Sequence, residues 1–175
     1  LNNSWIRDGG NTVYTAVELT DLYNGATMAG RYRRLYGFII TESVRGSLAD
    51  INKNFNFNFH VVNGTTGINN SFGYTGTKNG TLTFVNGNAT VALKHDDEID
   101  FSLPYGYDYS ITQENGNYSL TINDNVGTVS EFKMIEAIDT LEGTTPTGMF
   151  LDLIPYILIV LFGACSITII RRNNI

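Results

Sequence analysis

Residues 55–62 read FNFNFHVV. Phe55, Phe57, Phe59 and Val61 alternate with Asn56, Asn58 and His60, so a period of two puts one row of side chains on a greasy face and the other on a polar face. That is the pattern of a half-buried β-strand. The same texture continues downstream. TLTFV (81–85), ATVAL (89–93), EIDFSL (98–103), YDYSIT (107–112) and YSLTI (118–122) are separated by NGN, KHDD, PYG and ENGN, all built from residues that tolerate tight turns. Strands recurring at roughly 8- to 12-residue intervals imply a sandwich or barrel.

Upstream, LYGFIITESV (35–44) is a further strand, followed by the polar segment RGSLADINKN (45–54). A last strand, GTVSEFKMIEA (127–137), leads into IDTLEGTTPTG (138–148). The all-β domain is expected over residues 36–137, with residues 138–148 as a linker. Residues 1–35, with GNTVYTAVELTDLYNG (10–25) and the basic cluster RYRR (31–34), read as the end of a preceding β domain and a connector.

The chain has 175 residues and a formal charge of -6, which argues against a surface built to hold nucleic acid. Its one cysteine, Cys165, excludes an intramolecular disulfide and a cysteine-based metal site. The first residue is Leu1, and no charged segment followed by an apolar one stands near it, so the chain is expected to be a C-terminal fragment with its export signal upstream.

From Met149 to Ile170 the sequence is apolar apart from Asp152, Ser166 and Thr168, and Arg171 and Arg172 follow. A helix rises ~1.5 Å per residue, so this run is long enough to cross a hydrocarbon core of ~30 Å. The expected topology is a β-sandwich outside the cell, a single C-terminal transmembrane helix (149–170) and a basic cytoplasmic tail (171–175), since trailing arginines stay inside. Pro155 lies near the start of the run, where a helix tolerates it best.

Thr145-Pro146-Thr147-Gly148, then an apolar span, then a short basic tail, resembles the cell-wall sorting signal of Gram-positive surface proteins. The usual pentapeptide is Leu-Pro-any-Thr-Gly; here TTPTG separates Pro from Gly by Thr alone, a form similar to that of many pilus backbone subunits. Asp152 and the Pro155-Tyr156 pair fit the same form. The resemblance implies that a membrane sortase attacks the Thr147–Gly148 bond with its own cysteine while Arg171 and Arg172 stop transfer through the membrane. Pro146 bends an extended, accessible peptide and Gly148 leaves the backbone open to a nucleophile. The acyl-enzyme would be resolved by an amine of a neighbouring pilin subunit or of the peptidoglycan cross-bridge. This chain would be the substrate and not an enzyme, with no catalytic residue, cofactor or metal of its own.

The body resembles the pilin isopeptide-linkage domain, an immunoglobulin-like sandwich related to the B-type domains of collagen-binding adhesins. The resemblance covers about residues 36–137 and rests on VRGSLADINKNFNFNFHV, TLTFVNGNATVALKHDDEIDFSLPYGYDYSITQ and VSEFKM in that order. Such domains staple themselves with a lysine-to-asparagine amide bond aided by a buried glutamate, which hardens an exported protein that lacks disulfides. Placed residue by residue, the lysine falls on Glu42, the glutamate on Gln113 and the asparagine on Met134. All three are replaced, so the staple is expected to be lost and the domain to rely on core packing. A shifted bond through Lys53 is the main escape. In VELTDLYNG, Asp21 stands where an upstream domain's closing strand would carry its asparagine.

The other candidates have plain readings. KHDDEID (94–100) supplies hard oxygens but lacks the spacing of a calcium loop, and is expected to be an acidic turn. His60 and His95 have no spaced third ligand for zinc. No nucleophile elbow supports a hydrolytic triad. RYRR is expected to be a solvated interdomain cluster. Together these features imply a structural subunit of a cell-surface pilus or fibril, in the cell wall of a Gram-positive bacterium after a transient single-pass membrane stage. The alternatives are the stalk and anchor of a monomeric adhesin, or of an ectoenzyme whose functional domain lies upstream.

Overall fold

The computed structural model describes residues 4–19 and 30–143. The strands are β1 (Ser4–Arg7), β2 (Val13–Thr15), β3 (Tyr32–Arg45), β4 (Phe55–Asn63), β5 (Thr66–Gly67), β6 (Ser71–Gly76) and β7 (Gly80–Thr83). After them come β8 (Asn88–Leu93), β9 (Glu98–Pro104), β10 (Asp108–Gln113), β11 (Ser119–Ile122), β12 (Val126–Thr128) and β13 (Lys133–Thr140). One sheet has the order β11-β13-β3-β9-β6-β7, with β1 pairing β3 and β2 pairing β1; the other has β12-β10-β4-β5, with β8 also on β4. β13 runs parallel to β3, from Lys133 opposite Phe38 to Thr140 opposite Arg45.

The expected alternation in β4 is what builds the core. Phe55, Phe57, Phe59 and Val61 are 0–2% exposed, whereas Asn56 and His60 face solvent. Opposite them the first sheet turns Phe38, Ile40, Ile99, Phe101, Leu103 and Ile135 inward. Phe101 joins the two layers: its ring stacks on Phe38 at 5.6 Å and meets Phe59 edge-on at 5.7 Å. Each such side chain contributes roughly 1.5–3 kcal/mol by burial, and each ring pair about 0.5–1.5 kcal/mol more.

The structure differs from the reading of the sequence in several places. GTVSEFKMIEA is two strands, β12 in one sheet and β13 in the other, and the buried Val129 fills the crossing between them. β6 was not expected, because SFGYTG carries turn residues at alternate positions. And the described part of residues 1–35 packs onto the sandwich instead of standing apart: Ile6 is 1% exposed and pairs with Arg33 across β1 and β3.

Arg33, from the RYRR cluster, is correspondingly not a solvated cation. Its guanidinium donates to Asp8 Oδ1 at 2.7 Å, to the Tyr105 carbonyl at 2.9 Å and to Asn63 Oδ1 at 3.0 Å, tying the β1–β2 loop to the ends of β4 and β9. It also lies 5.2 Å from the centre of the Tyr107 ring. Burial, reinforced by the Asp8 charge, pushes the Tyr107 hydroxyl up to about 12.

The domain also extends past residue 137. β13 reaches Thr140, and Leu141 then donates to the Arg45 carbonyl at 2.9 Å and accepts from the Leu48 amide at 3.1 Å. The first compact unit ends at Glu142. Among the described residues no helix is long and apolar enough to cross a membrane; the apolar run 149–170 lies outside them.

Candidate functional site

The inward positions of β3 read Phe38, Ile40, Glu42, Val44, and those of β13 read Ile135, Ala137, Asp139. Each strand thus carries one acid on its greasy row. In the parallel ladder Glu42 faces Ala137 and Val44 faces Asp139, so the two carboxyls are diagonal neighbours. Gln113, the last residue of β10, reaches across from the other sheet. Its Nε2 donates to Glu42 Oε2 at 2.9 Å and to Asp139 Oδ2 at 2.5 Å. Glu42 is 2% exposed and Asp139 fully buried. The second oxygens of both acids and Oε1 of Gln113 have no hydrogen-bond partner.

Two carboxylates this close and this dry cannot both be ionised at neutral pH. Burial, followed by the neighbouring Asp139 charge, pushes the Glu42 carboxyl up to about 8, with the Gln113 hydrogen bond pulling the other way. Asp139 is raised as well, again by burial first, against hydrogen bonds from Gln113 and Glu42 and the charge of Lys53. The pair titrates as a unit and keeps a proton at pH 7.

Of the three positions assigned to a lost staple, the structure brings Glu42 and Gln113 together but not Met134. Met134 is 58% exposed, because even-numbered residues of β13 point away from the core; Asp139, five positions on, occupies the third corner. Lys53 makes its own contacts elsewhere. Its ammonium lies 4.6 Å from the centre of the Phe55 ring and 4.1 Å from that of Tyr118, and donates to the Asn115 carbonyl at 3.3 Å.

Within KHDDEID, residues 94–97 form a turn with Asp96 at φ 62°, pinned from inside, and Glu98–Asp100 already belong to β9. Asp97 Oδ2 accepts from the Lys94 amide at 2.9 Å and pairs with Lys78 at 2.7 Å. Burial opposes ionisation there, but these hydrogen bonds and the two lysine charges hold the Asp97 carboxyl below the usual range. His95 Nδ1 accepts from the Val44 amide at 3.0 Å, and the exposed His60 meets Asn88 at 3.0 Å. Among the described residues no group of three or more His, Cys, Asp or Glu is placed to hold a metal. Thr145, Pro146, Thr147, Gly148, Arg171, Arg172 and Asp21 lie outside the described residues.

Comparison with known proteins fits this architecture. The chain is 32% identical over 123 residues to the pilus tip adhesin Cpa of Streptococcus pyogenes, covering 65% of this chain and 18% of the adhesin. It therefore spans about a fifth of that relative. A solved structure of the pilus-presented adhesin Cpa superposes at a TM-score of 0.56 with 22% identity, over 62% of this chain and 28% of that one. A second crystal determination of the adhesin gives a TM-score of 0.55 and 22% identity over 62% and 27%.

The fold is a two-sheet all-β sandwich similar to that of the pilus-presented adhesin, with a buried polar cluster between the parallel β3–β13 pair and the opposite sheet. The chain belongs to the family described as Domain of unknown function DUF7601, whose model matches residues 37–140.

Proposed function

We propose that this chain is the wall-proximal end of a Gram-positive pilus or fibril protein, an immunoglobulin-like module that a sortase joins covalently through Thr147. What carries this is the order TTPTG, apolar run, Arg171-Arg172 directly after a domain whose relative is a pilus adhesin. The sortase thiolate attacks the Thr147 carbonyl and the Gly148 amine leaves with the membrane segment. An amine of a neighbouring subunit or of the peptidoglycan cross-bridge then displaces the thiolate and forms a new amide. The module itself does no catalysis.

The test is fractionation of cells expressing the full-length protein with Thr147→Ala or Gly148→Ala. The protein should stay with the membrane and vanish from the wall fraction; unchanged release into the wall would overturn the assigned bond. The kinship to a tip adhesin favours a second reading, in which the module is the stalk of an adhesin attached once and not repeatedly. A ladder of covalent high-mass species on a denaturing gel marks a repeated subunit, and a single wall-linked species marks the stalk.

The same proposal holds that the domain carries no internal amide staple, since Glu42 and Gln113 supply no amine and Lys53 is engaged by aromatic rings. Intact mass of the full chain should equal that of the plain sequence. A deficit of one ammonia or one water would reveal a bond after all.

A further inference from the structure

The Glu42–Gln113–Asp139 cluster sits where the last strand leaves the domain. Three residues past Asp139, Glu142 ends the compact unit; along this exit Thr140 pairs with Arg45 and Ser119, Leu141 bonds to Arg45 and Leu48, and Glu142 accepts from the Ser47 amide at 3.3 Å. Gln113 bonds Asp139 of β13 and Glu42 of β3 at once and so ties both strands to the opposite sheet. We propose that this carboxyl pair is a proton-operated latch: with one proton shared between Glu42 and Asp139 the C-terminal half of β13 is closed on β3, and loss of that proton releases it.

The closed arrangement needs the proton because Gln113 supplies a single NH2 to two acids. Two anions would face each other across a dry gap with two of their oxygens unpartnered. The surroundings offer little compensation. Among the described residues, Lys53, from the loop before β4, is the cation whose charge reaches Asp139, and its ammonium is committed to Asn115 and two rings. Asp96 and Asp97 meet Glu42 through backbone bonds only, and Asp97 is neutralised by Lys78. His95 faces the Val44 amide, and Glu114, beside Gln113, faces Asn56 and Asn58.

The sign follows from where the proton resides. In the open state Glu42 returns to its ordinary value of 4.5, whereas in the closed state it holds its proton up to about 8. Between these limits the closed state binds one proton more than the open state. Opening therefore becomes easier as pH rises through this window, by up to about tenfold per pH unit, and levels off above it.

Hydrogen exchange on the full chain in detergent reads this directly. In the wild type, the opening constant of the amides from Ile138 to Leu141 should rise about tenfold per unit between pH 5.5 and 7.5, while Phe57 and Phe59 in β4 stay protected. In the Glu42→Gln/Asp139→Asn double variant, which keeps His95 and Lys53, the rise should disappear. Equal pH dependence in the two proteins would overturn the proposal. Should the double variant fail to fold, infrared spectroscopy of the wild type decides: a protonated carboxyl band present at pH 7 and lost by pH 9 supports the latch, and its absence at pH 7 refutes it.

Discussion

Gln113 is the residue on which the interior polar cluster depends, since it is the donor common to both acids and the only member contributed by the second sheet. Replacing it with leucine leaves two buried carboxyls without that donor. The expected loss is about 2–4 kcal/mol of unfolding free energy at pH 7, read by urea denaturation monitored on the single tryptophan. A loss within experimental error would mean that the acids find other partners.

At this scale the sequence was partly legible. The comparison of motifs points at Glu42 and Gln113 but not at Asp139, although the row Ile135, Ala137, Asp139 displays an acid at an inward position. Motif spacing led to Met134, and strand alternation, applied one residue further, would have rejected it. RYRR misled for a different reason. The partners of Arg33 come from Asp8, Asn63 and Tyr105, far apart in the chain, so nothing local to the cluster announces that one of its arginines is half-buried and paired.

Among the elements, β4 is the spine of the second sheet, paired with β10 on one side and β8 on the other. Phe57, the third residue of this strand, has no exposure and sits opposite both Gln113 and Val91. Phe57→Ala should cost about 3–5 kcal/mol, measured as a fall in unfolding free energy, because a large cavity opens between two well-ordered layers. Asn56→Ala, on the solvent face of the same strand, should stay within about 0.5 kcal/mol.

The contrast explains which elements could be read beforehand. β4, β8, β9 and β10 have a clean period of two with large apolar residues on one row. β6 has Phe72 as its one fully inward large residue and glycines at 73 and 76, so its identity comes from pairing with β7 and not from its own pattern. The loop after β3 shows how a single backbone position fixes an exit. Gly46 has φ 111°, and a Cβ there would stand 2.3 Å from the Leu141 carbonyl oxygen. Gly46→Ala should therefore strip hydrogen-exchange protection from Leu48 and Leu141 before it affects β4.

For the whole molecule, stability is bounded on both sides of neutrality by different groups. At the acid end the Asp97–Lys78 pair matters. Asp97 is held below its ordinary value of 3.8, so its contribution is fully present above that value and is lost as pH falls through the lower folded one. Glu42 acts in the opposite sense, with its contribution complete below 4.5 and lost as pH rises through about 8. Thermal midpoints should consequently peak at mildly acidic pH, and Asp97→Asn should flatten the acid limb while leaving the alkaline one intact. A midpoint that climbs steadily to pH 9 would contradict this account.

The parallel pairing of β3 and β13 has one more consequence. Among the described residues these are the longest strand and the last strand, and they lie side by side over eight residue pairs pointing the same way. Tension applied to the start of β3 and the end of β13 pulls them along their length in opposite directions. The evenly spaced, slanted bonds of a parallel ladder are then loaded in shear, all at once, instead of peeling apart singly. If the module is joined into a fibre as proposed, the measure of its strength is how fast it ruptures under load, and this ladder is where that barrier lies.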